Sequence, residues 1–134
     1  MPREKPLPRP TDVTAPFWAA TKQCKFLLQY DPRAGRYQFY PRPVSVFGTP
    51  GALEWREAKG TGKLIALTLC RAPAPGFEGE APYLLGLVQL DEGPRVFARL
   101  VNVAPGVAAV GARMRIVWQD AGPDLKLYAF EPVN

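Results

Sequence analysis

Tyr83-Leu84-Leu85-Gly86-Leu87-Val88-Gln89-Leu90, then Asp91-Glu92-Gly93-Pro94, then Arg95-Val96-Phe97-Ala98-Arg99-Leu100-Val101-Asn102-Val103, is the stretch on which the fold turns. Its first eight residues are strongly apolar and end at a turn cluster, which reads as a buried strand rather than a helix. Asp, Gly and Pro together make 91–94 a hairpin turn, so residues 95–103 return as the paired strand. Working outward, Leu53–Ala58 reads as a strand, residues 59–62 as a turn and Lys63–Leu69 as a strand. The segment 71–82, with Pro73, Pro75 and Pro82, is a long loop. Downstream, a glycine-containing segment at 104–112 leads to strands near 113–119 and 125–131. About five short strands with tight turns suit a small closed OB-type barrel better than a seven-stranded sandwich.

The first 52 residues differ. Residues 1–13 carry Pro2, Pro6, Pro8 and Pro10 among charges and form an extended arm. Thr14 is a good N-cap and Pro16 suits a first turn, so one short helix is expected over 14–24. Phe17, Trp18 and Phe26 supply its apolar side. Phe17 and Trp18 are open to two readings, core packing or a partner contact. Residues 25–30 read as a strand, 31–35 as a turn, and 36–39 as the returning strand. Residues 45–51 are a turn-rich loop. The expected division is an arm at 1–13, a helix with a ribbon-like unit at 14–52, and the barrel at 53–134.

Composition narrows the chemistry. The 134 residues are 47% hydrophobic and 22% charged, a globular balance. No run approaches a membrane span, and the charged N-terminus lacks the apolar stretch of a secretory signal, so a cytoplasmic protein is expected. Cys24 and Cys70 form no paired metal motif and read as two buried free thiols. The chain has no histidine, which removes the commonest general base and zinc ligand. The net charge of +5 is localised: residues 1–42 hold eight basic against three acidic side chains, and the remainder cancels at nine each. Such an excess either attracts a polyanion or serves solubility. Lys59-Gly60-Thr61-Gly62-Lys63 lacks the spacing and following helix of a phosphate loop and reads as a hairpin turn. No catalytic triad or dinucleotide fingerprint is present.

Several strings, taken in order, resemble a known family. They are Ala15-Pro16-Phe17-Trp18, Leu27-Leu28-Gln29, Gly35-Arg36-Tyr37-Gln38-Phe39-Tyr40-Pro41-Arg42, Arg71 through Phe77, Ala81-Pro82-Tyr83, Leu90 through Arg95, and Val110 through Met114. They are similar to the zinc-ribbon and OB-fold proteins associated with acyl-CoA enzymes, the domain of unknown function number thirty-five. The resemblance implies a mainly β chain: an N-terminal helix, a rubredoxin-like ribbon, then a five-stranded OB-fold barrel. The four zinc cysteines of that family would fall at Asp31, Ala34, Ser45 and Gly48, and none is cysteine. No metal and no cofactor are therefore expected. Tyr30, Tyr37, Phe39, Tyr40 and Phe47 are then expected to hold the ribbon by apolar contacts.

The resemblance further implies a non-catalytic accessory subunit of a thiolase-fold enzyme, of the thiolase, acyltransferase or steroid side-chain aldolase type. It would complete the partner's acyl-CoA site in a hetero-oligomer. The alternatives are a partner of a MaoC-like enoyl-CoA hydratase, and a single-stranded nucleic-acid-binding barrel. Lys25, Arg33, Arg36, Tyr37, Arg42, Arg71 and Phe77 combine the cations and aromatic faces that coenzyme A phosphates and adenine require. Phe17, Trp18 and Phe47 are the candidate partner contacts.

Overall fold

The computed structural model describes residues 6–103 and 109–133; arm residues 1–5 and residues 104–108 of the segment before the fourth barrel strand lie outside them. In chain order the elements are α1 (Ala15–Thr21), β1 (Leu27–Asp31), β2 (Arg36–Gln38), β3 (Glu54–Glu57), β4 (Thr61–Cys70), β5 (Tyr83–Leu90), β6 (Arg95–Leu100), β7 (Arg113–Asp120) and β8 (Lys126–Pro132).

The apolar run at 83–90 is β5, paired with β6 through Gly86↔Ala98 and Val88↔Val96. Strand β4 pairs with β5 on one side and β7 on the other, β7 pairs with β8, and β8 meets β6 in parallel at Leu100↔Phe130. The barrel closes in the order β4-β5-β6-β8-β7. This is the expected five-stranded OB-like barrel. Leu64, Val88, Val96, Met114 and Phe130 are fully buried inside it. Each such side chain contributes roughly 1.5–3 kcal/mol by leaving water. Gly62 lets β4 cross tightly over β5, since a Cβ there would collide with the Gln89 carbonyl oxygen.

The N-terminal lobe is a three-stranded antiparallel sheet, ordered β2-β1-β3. Here the sequence reading needs correction. Residues 53–58 were expected to belong with the barrel, yet β3 pairs with β1 through Leu28↔Arg56 and Gln29↔Trp55. Residues 59–62 are accordingly not a hairpin turn: Lys59 and Gly60 lie in the link between the two sheets, and Thr61 and Gly62 already open β4. A short extended segment does not reveal in its own residues which neighbour takes its hydrogen bonds.

The helix is shorter than expected and ends at Thr21, because the chain leaves helical geometry at Cys24, whose φ is +58°. Thr14 is the N-cap residue, but its hydroxyl makes no capping bond to the helix; it accepts instead from the Thr11 N–H at 2.8 Å. The Thr21 hydroxyl donates to the Trp18 carbonyl (2.6 Å) and accepts from the Lys126 N–H (3.1 Å), tying α1 to β8. No helix among the described residues is long and apolar enough to cross a membrane.

Candidate functional site

Three places in the fold bear on function: the loops where a ribbon's metal would sit, a cleft between the lobes, and a groove on the outer barrel face.

The first centres on Asp31, which is fully buried at the end of β1. Its Oδ1 accepts the N–H groups of Arg33 (2.9 Å) and Ala34 (3.1 Å). Its Oδ2 accepts the Ser45 hydroxyl at 2.6 Å and the Thr49 hydroxyl. One carboxylate thus pins the loop after β1 to the loop after β2. The hydroxyls of Ser45 and Thr49, then the backbone N–H groups of Ala34 and Arg33, hold its pKa well below the usual carboxylate range, against the upward push of burial. The positions matching the cysteine pattern, Asp31, Ala34, Ser45 and Gly48, do not fit zinc. Two of the four lack any ligand atom, and both Asp31 oxygens are already committed to donors. Among the described residues no three of Cys, Asp or Glu converge.

The ribbon aromatics were expected to supply the packing, and they do so only in part. Tyr30 and Tyr37 touch at 4.8 Å, and Arg56 lies 3.6 Å over the Tyr30 ring. Phe39 joins Phe26 and Phe17, whereas Tyr40 is exposed. Sequence reasoning missed the buried polar set of Gln29, Asp31, Gln38 and Ser45 that does the rest. Polar residues on a short strand ordinarily signal an exposed face.

The second place is a cleft of about 440 Å³ between the ribbon and the β5–β6 turn. Arg36, Tyr37 and Phe47 line it, opposite Gln89 and Glu92, with the Arg36 guanidinium 4.2 Å over the Phe47 ring. The structure therefore gathers three of the residues singled out from sequence. It does not gather the rest there. Arg33 is exposed and donates to the Ala52 carbonyl (2.8 Å). Lys25, Arg42 and Arg71 are exposed away from this cleft, and Phe77 lines the third place. Phe17 is 2% exposed and packs edge-on against Phe26, Trp18 and Tyr128, so it is core and offers no surface to a partner.

The third place is a groove of about 670 Å³ across the outer face of β5 and β6. Leu7, Trp18, Phe77, Leu85 and Phe97 supply its apolar lining. The period-two pattern explains it. Leu84, Gly86, Val88 and Leu90 point into the barrel, which leaves Tyr83, Leu85 and Leu87 on the outside of the same strand. A strand apolar on both faces needs cover on both, and that signal is present in the sequence. Charge in the groove is neutralised: Arg99 pairs with Glu80 at 2.6 Å and lies 4.6 Å over the Tyr83 ring, and Asp120 stands nearby. A single-stranded nucleic acid needs a positive track beside its stacking platforms, and the described lining residues of this groove supply only Arg99, which is paired with Glu80.

Burial pushes the Tyr128 hydroxyl far up, out of reach as a base. Cys24, expected to be buried, is exposed and its sulfur accepts from the Lys126 ammonium at 3.3 Å. The Cys70 thiol donates weakly to the Ala72 carbonyl (3.5 Å).

A closed five-stranded barrel with a small three-stranded sheet before it defines an OB-fold chain with an N-terminal appendage. Residues 55–119 match the family model described as ChsH2, C-terminal OB-fold domain. A DUF35 domain-containing scaffold protein of Pyrococcus furiosus is 35% identical over 105 residues, 74% of this chain and 77% of that protein. The chain belongs to this DUF35 domain-containing scaffold family. It is also 32% identical over 120 residues to the probable enoyl-CoA hydratase alpha subunit of Thermomonospora curvata, covering 87% of this chain. It spans 36% of that subunit, about a third of its length. Among solved structures, a chain of the Ltp2-ChsH2(DUF35) aldolase superposes with a TM-score of 0.83 at 29% identity, over 94% of this chain and 98% of that one.

Proposed function

We propose that this chain is a non-catalytic accessory subunit of a thiolase-fold enzyme that acts on acyl-CoA. It completes the partner's acyl-CoA site and stabilises the complex. The supporting observation is the likeness over nearly the full length of both chains to a component of the Ltp2-ChsH2(DUF35) aldolase. The site geometry agrees with that role. The outer groove offers an apolar wall with its charges paired off, and the inter-lobe cleft offers Arg36, Tyr37 and Phe47 for the nucleotide end of the cofactor. Chemistry on the thioester then belongs to the partner. Residues 14–57, β3 included, act as a zinc-free, rubredoxin-like ribbon behind the arm at 1–13, with the barrel carried by the remainder, in a cytoplasmic complex.

A second reading is favoured by two relatives. Both the Thermomonospora curvata protein and a Mycobacterium tuberculosis protein, 29% identical over 120 residues, are named as hydratase alpha subunits, the latter of 3-oxo-4,17-pregnadiene-20-carboxyl-CoA hydratase. On that reading the partner is a MaoC-like enoyl-CoA hydratase.

Affinity purification of the tagged chain from its source cells, with mass-spectrometric identification, separates the two. The recombinant partner is then assayed with and without this chain. Loss of at least tenfold in the partner's kcat/KM on omission is expected. A partner equally active alone would refute the accessory role.

A further inference from the structure

The loop between β2 and β3 combines two properties that rarely occur together. It exposes apolar side chains, and its backbone is fixed from beneath. Val44 is 66% exposed, Val46 51% and Tyr40 47%, so three large apolar side chains face solvent within seven residues. Contiguous exposure of this kind marks an interaction surface more often than single exposed residues do.

The backbone beneath them is held by the amides of two buried glutamines. Gln29 Nε2 donates to the Arg42 carbonyl, and Gln29 Oε1 accepts the Arg42 N–H, both at 2.8 Å. Gln38 Oε1 accepts the Val46 N–H at 2.9 Å, and Gln38 Nε2 donates to the Val44 carbonyl at 3.2 Å. Gln38 Nε2 also donates to Gln29 Oε1 at 2.8 Å, joining the two amides. Ser45, between the two valines, is anchored inward to Asp31. A buried polar network satisfied in this way fixes one conformation. A loop ordered beforehand loses little entropy when it binds.

Charge selects the occupant. Arg36 and Arg42 are exposed on the same loop and the strand before it, and no acidic residue lies between Asp31 and Glu54. We infer that residues 40–46 form the docking surface for a protein partner whose face presents an apolar recess rimmed by carboxylates. This rests on the accessory role proposed above, and assigns that role a surface. A nucleic acid fits poorly, because two of the three exposed side chains are valines and Tyr40 alone among them offers a face for base stacking. An apolar centre with an arginine rim matches the composition of protein interfaces.

The test places benzoylphenylalanine at Val44, and separately at Val110 on the barrel as control, in full-length chain expressed in the source cells. Irradiation of the Val44 chain is expected to yield one protein adduct, identified by mass spectrometry, whose cross-linked peptide lies beside Asp or Glu. Its yield should fall at least about fivefold with Arg42→Glu or in about 0.5 M salt, since rim charges act through screened attraction. Val44→Asp, on an exposed side chain, should abolish complex formation while circular dichroism stays unchanged.

No adduct from Val44, equal adducts from Val110, or an adduct with a second copy of this chain overturns the assignment. So does saturable binding to phosphatidylserine vesicles that is lost in Val44→Asp, which would make the loop a lipid contact. Co-purification of an acyl-CoA enzyme undiminished by Val44→Asp removes the surface and leaves the accessory role intact. A carboxylate-flanked adduct with a protein unconnected to acyl-CoA removes the role and leaves the surface.

Discussion

The ribbon and the barrel are held together by opposite means. Every buried polar or charged residue described, namely Thr21, Gln29, Asp31, Gln38 and Ser45, falls within the first 45 positions. The barrel interior holds none of them and relies on Leu64, Val88, Leu90, Val96, Met114 and Phe130. Size explains the contrast. A five-stranded barrel encloses enough apolar area for a core, whereas a three-stranded sheet of short strands does not and needs a staple. In a zinc ribbon the staple is a metal ion. Here a carboxylate occupies the equivalent place and collects two backbone N–H groups and two hydroxyls. The substitution exchanges four thiolates around a cation for four donors around an anion.

The contrast breaks first, and hardest, in the barrel. Phe130→Ala should cost about 3–5 kcal/mol, read as a lower urea midpoint with both lobes unfolding together. A loss below about 1 kcal/mol would mean that the barrel does not depend on its apolar interior. Asp31→Ala comes next. It leaves the buried Ser45 hydroxyl, the half-buried Thr49 hydroxyl and two N–H groups without this acceptor, and the thermal midpoint should fall by about 5–10 °C. Hydrogen exchange should show the loss confined to β1, β2 and their loops while β5 and β6 stay protected. Uniform loss across both lobes would erase the distinction. A smaller, opposite effect follows from restoring the metal ligands with Asp31→Cys, Ala34→Cys, Ser45→Cys and Gly48→Cys together. One equivalent of Co²⁺ should bind with a tetrahedral thiolate spectrum, and Zn²⁺ should raise the midpoint above that of the metal-free quadruple variant. The gain is limited by Gly48, whose φ of +78° costs a Cβ-bearing residue about 1–2 kcal/mol.

The barrel was legible in the sequence because its signals are local. The apolar run at 83–90, the turn at 91–94 and Gly111 before an alternating run each announce themselves. The N-terminal sheet was legible in part, as the strand–turn–strand of β1 and β2, and its mechanism of stability was not. Gln29 and Gln38 lie nine residues apart and bond through a pairing that exists only after β1 and β2 align. The pairing of β3 with β1 is likewise a long-range choice. The cations singled out for a nucleotide-type ligand are dispersed in the fold: Arg36 lines the cleft, whereas Arg42 and Arg71 are exposed on separate loops. The outer groove was legible and overlooked: Tyr83, Leu85 and Leu87 alternate with the core positions of the same strand.

The smallest effect, and the one that separates the lobes most directly, is acid sensitivity. The Asp31 pKa is depressed in the folded chain, so its contribution is complete above the unfolded value of about 3.9 and drains away as pH falls below that. Asp91 is depressed to about 2 by Arg113 and Thr61, and its contribution disappears between about pH 4 and 2. The sign is the same for both, yet the groups differ in setting. Asp91 sits at the barrel surface, where solvent screens its ion pair, whereas Asp31 has no access to water. The ribbon should therefore loosen before the barrel as pH is lowered from 7 toward 3. Single-tryptophan variants report each lobe separately, since Trp55 stands on β3 and Trp118 on β7. The Trp55 signal should change at a higher pH than the Trp118 signal, and Asp31→Asn should flatten the acid limb of Trp55 alone. An acid limb that survives Asp31→Asn would mean that something other than the buried carboxylate closes the ribbon.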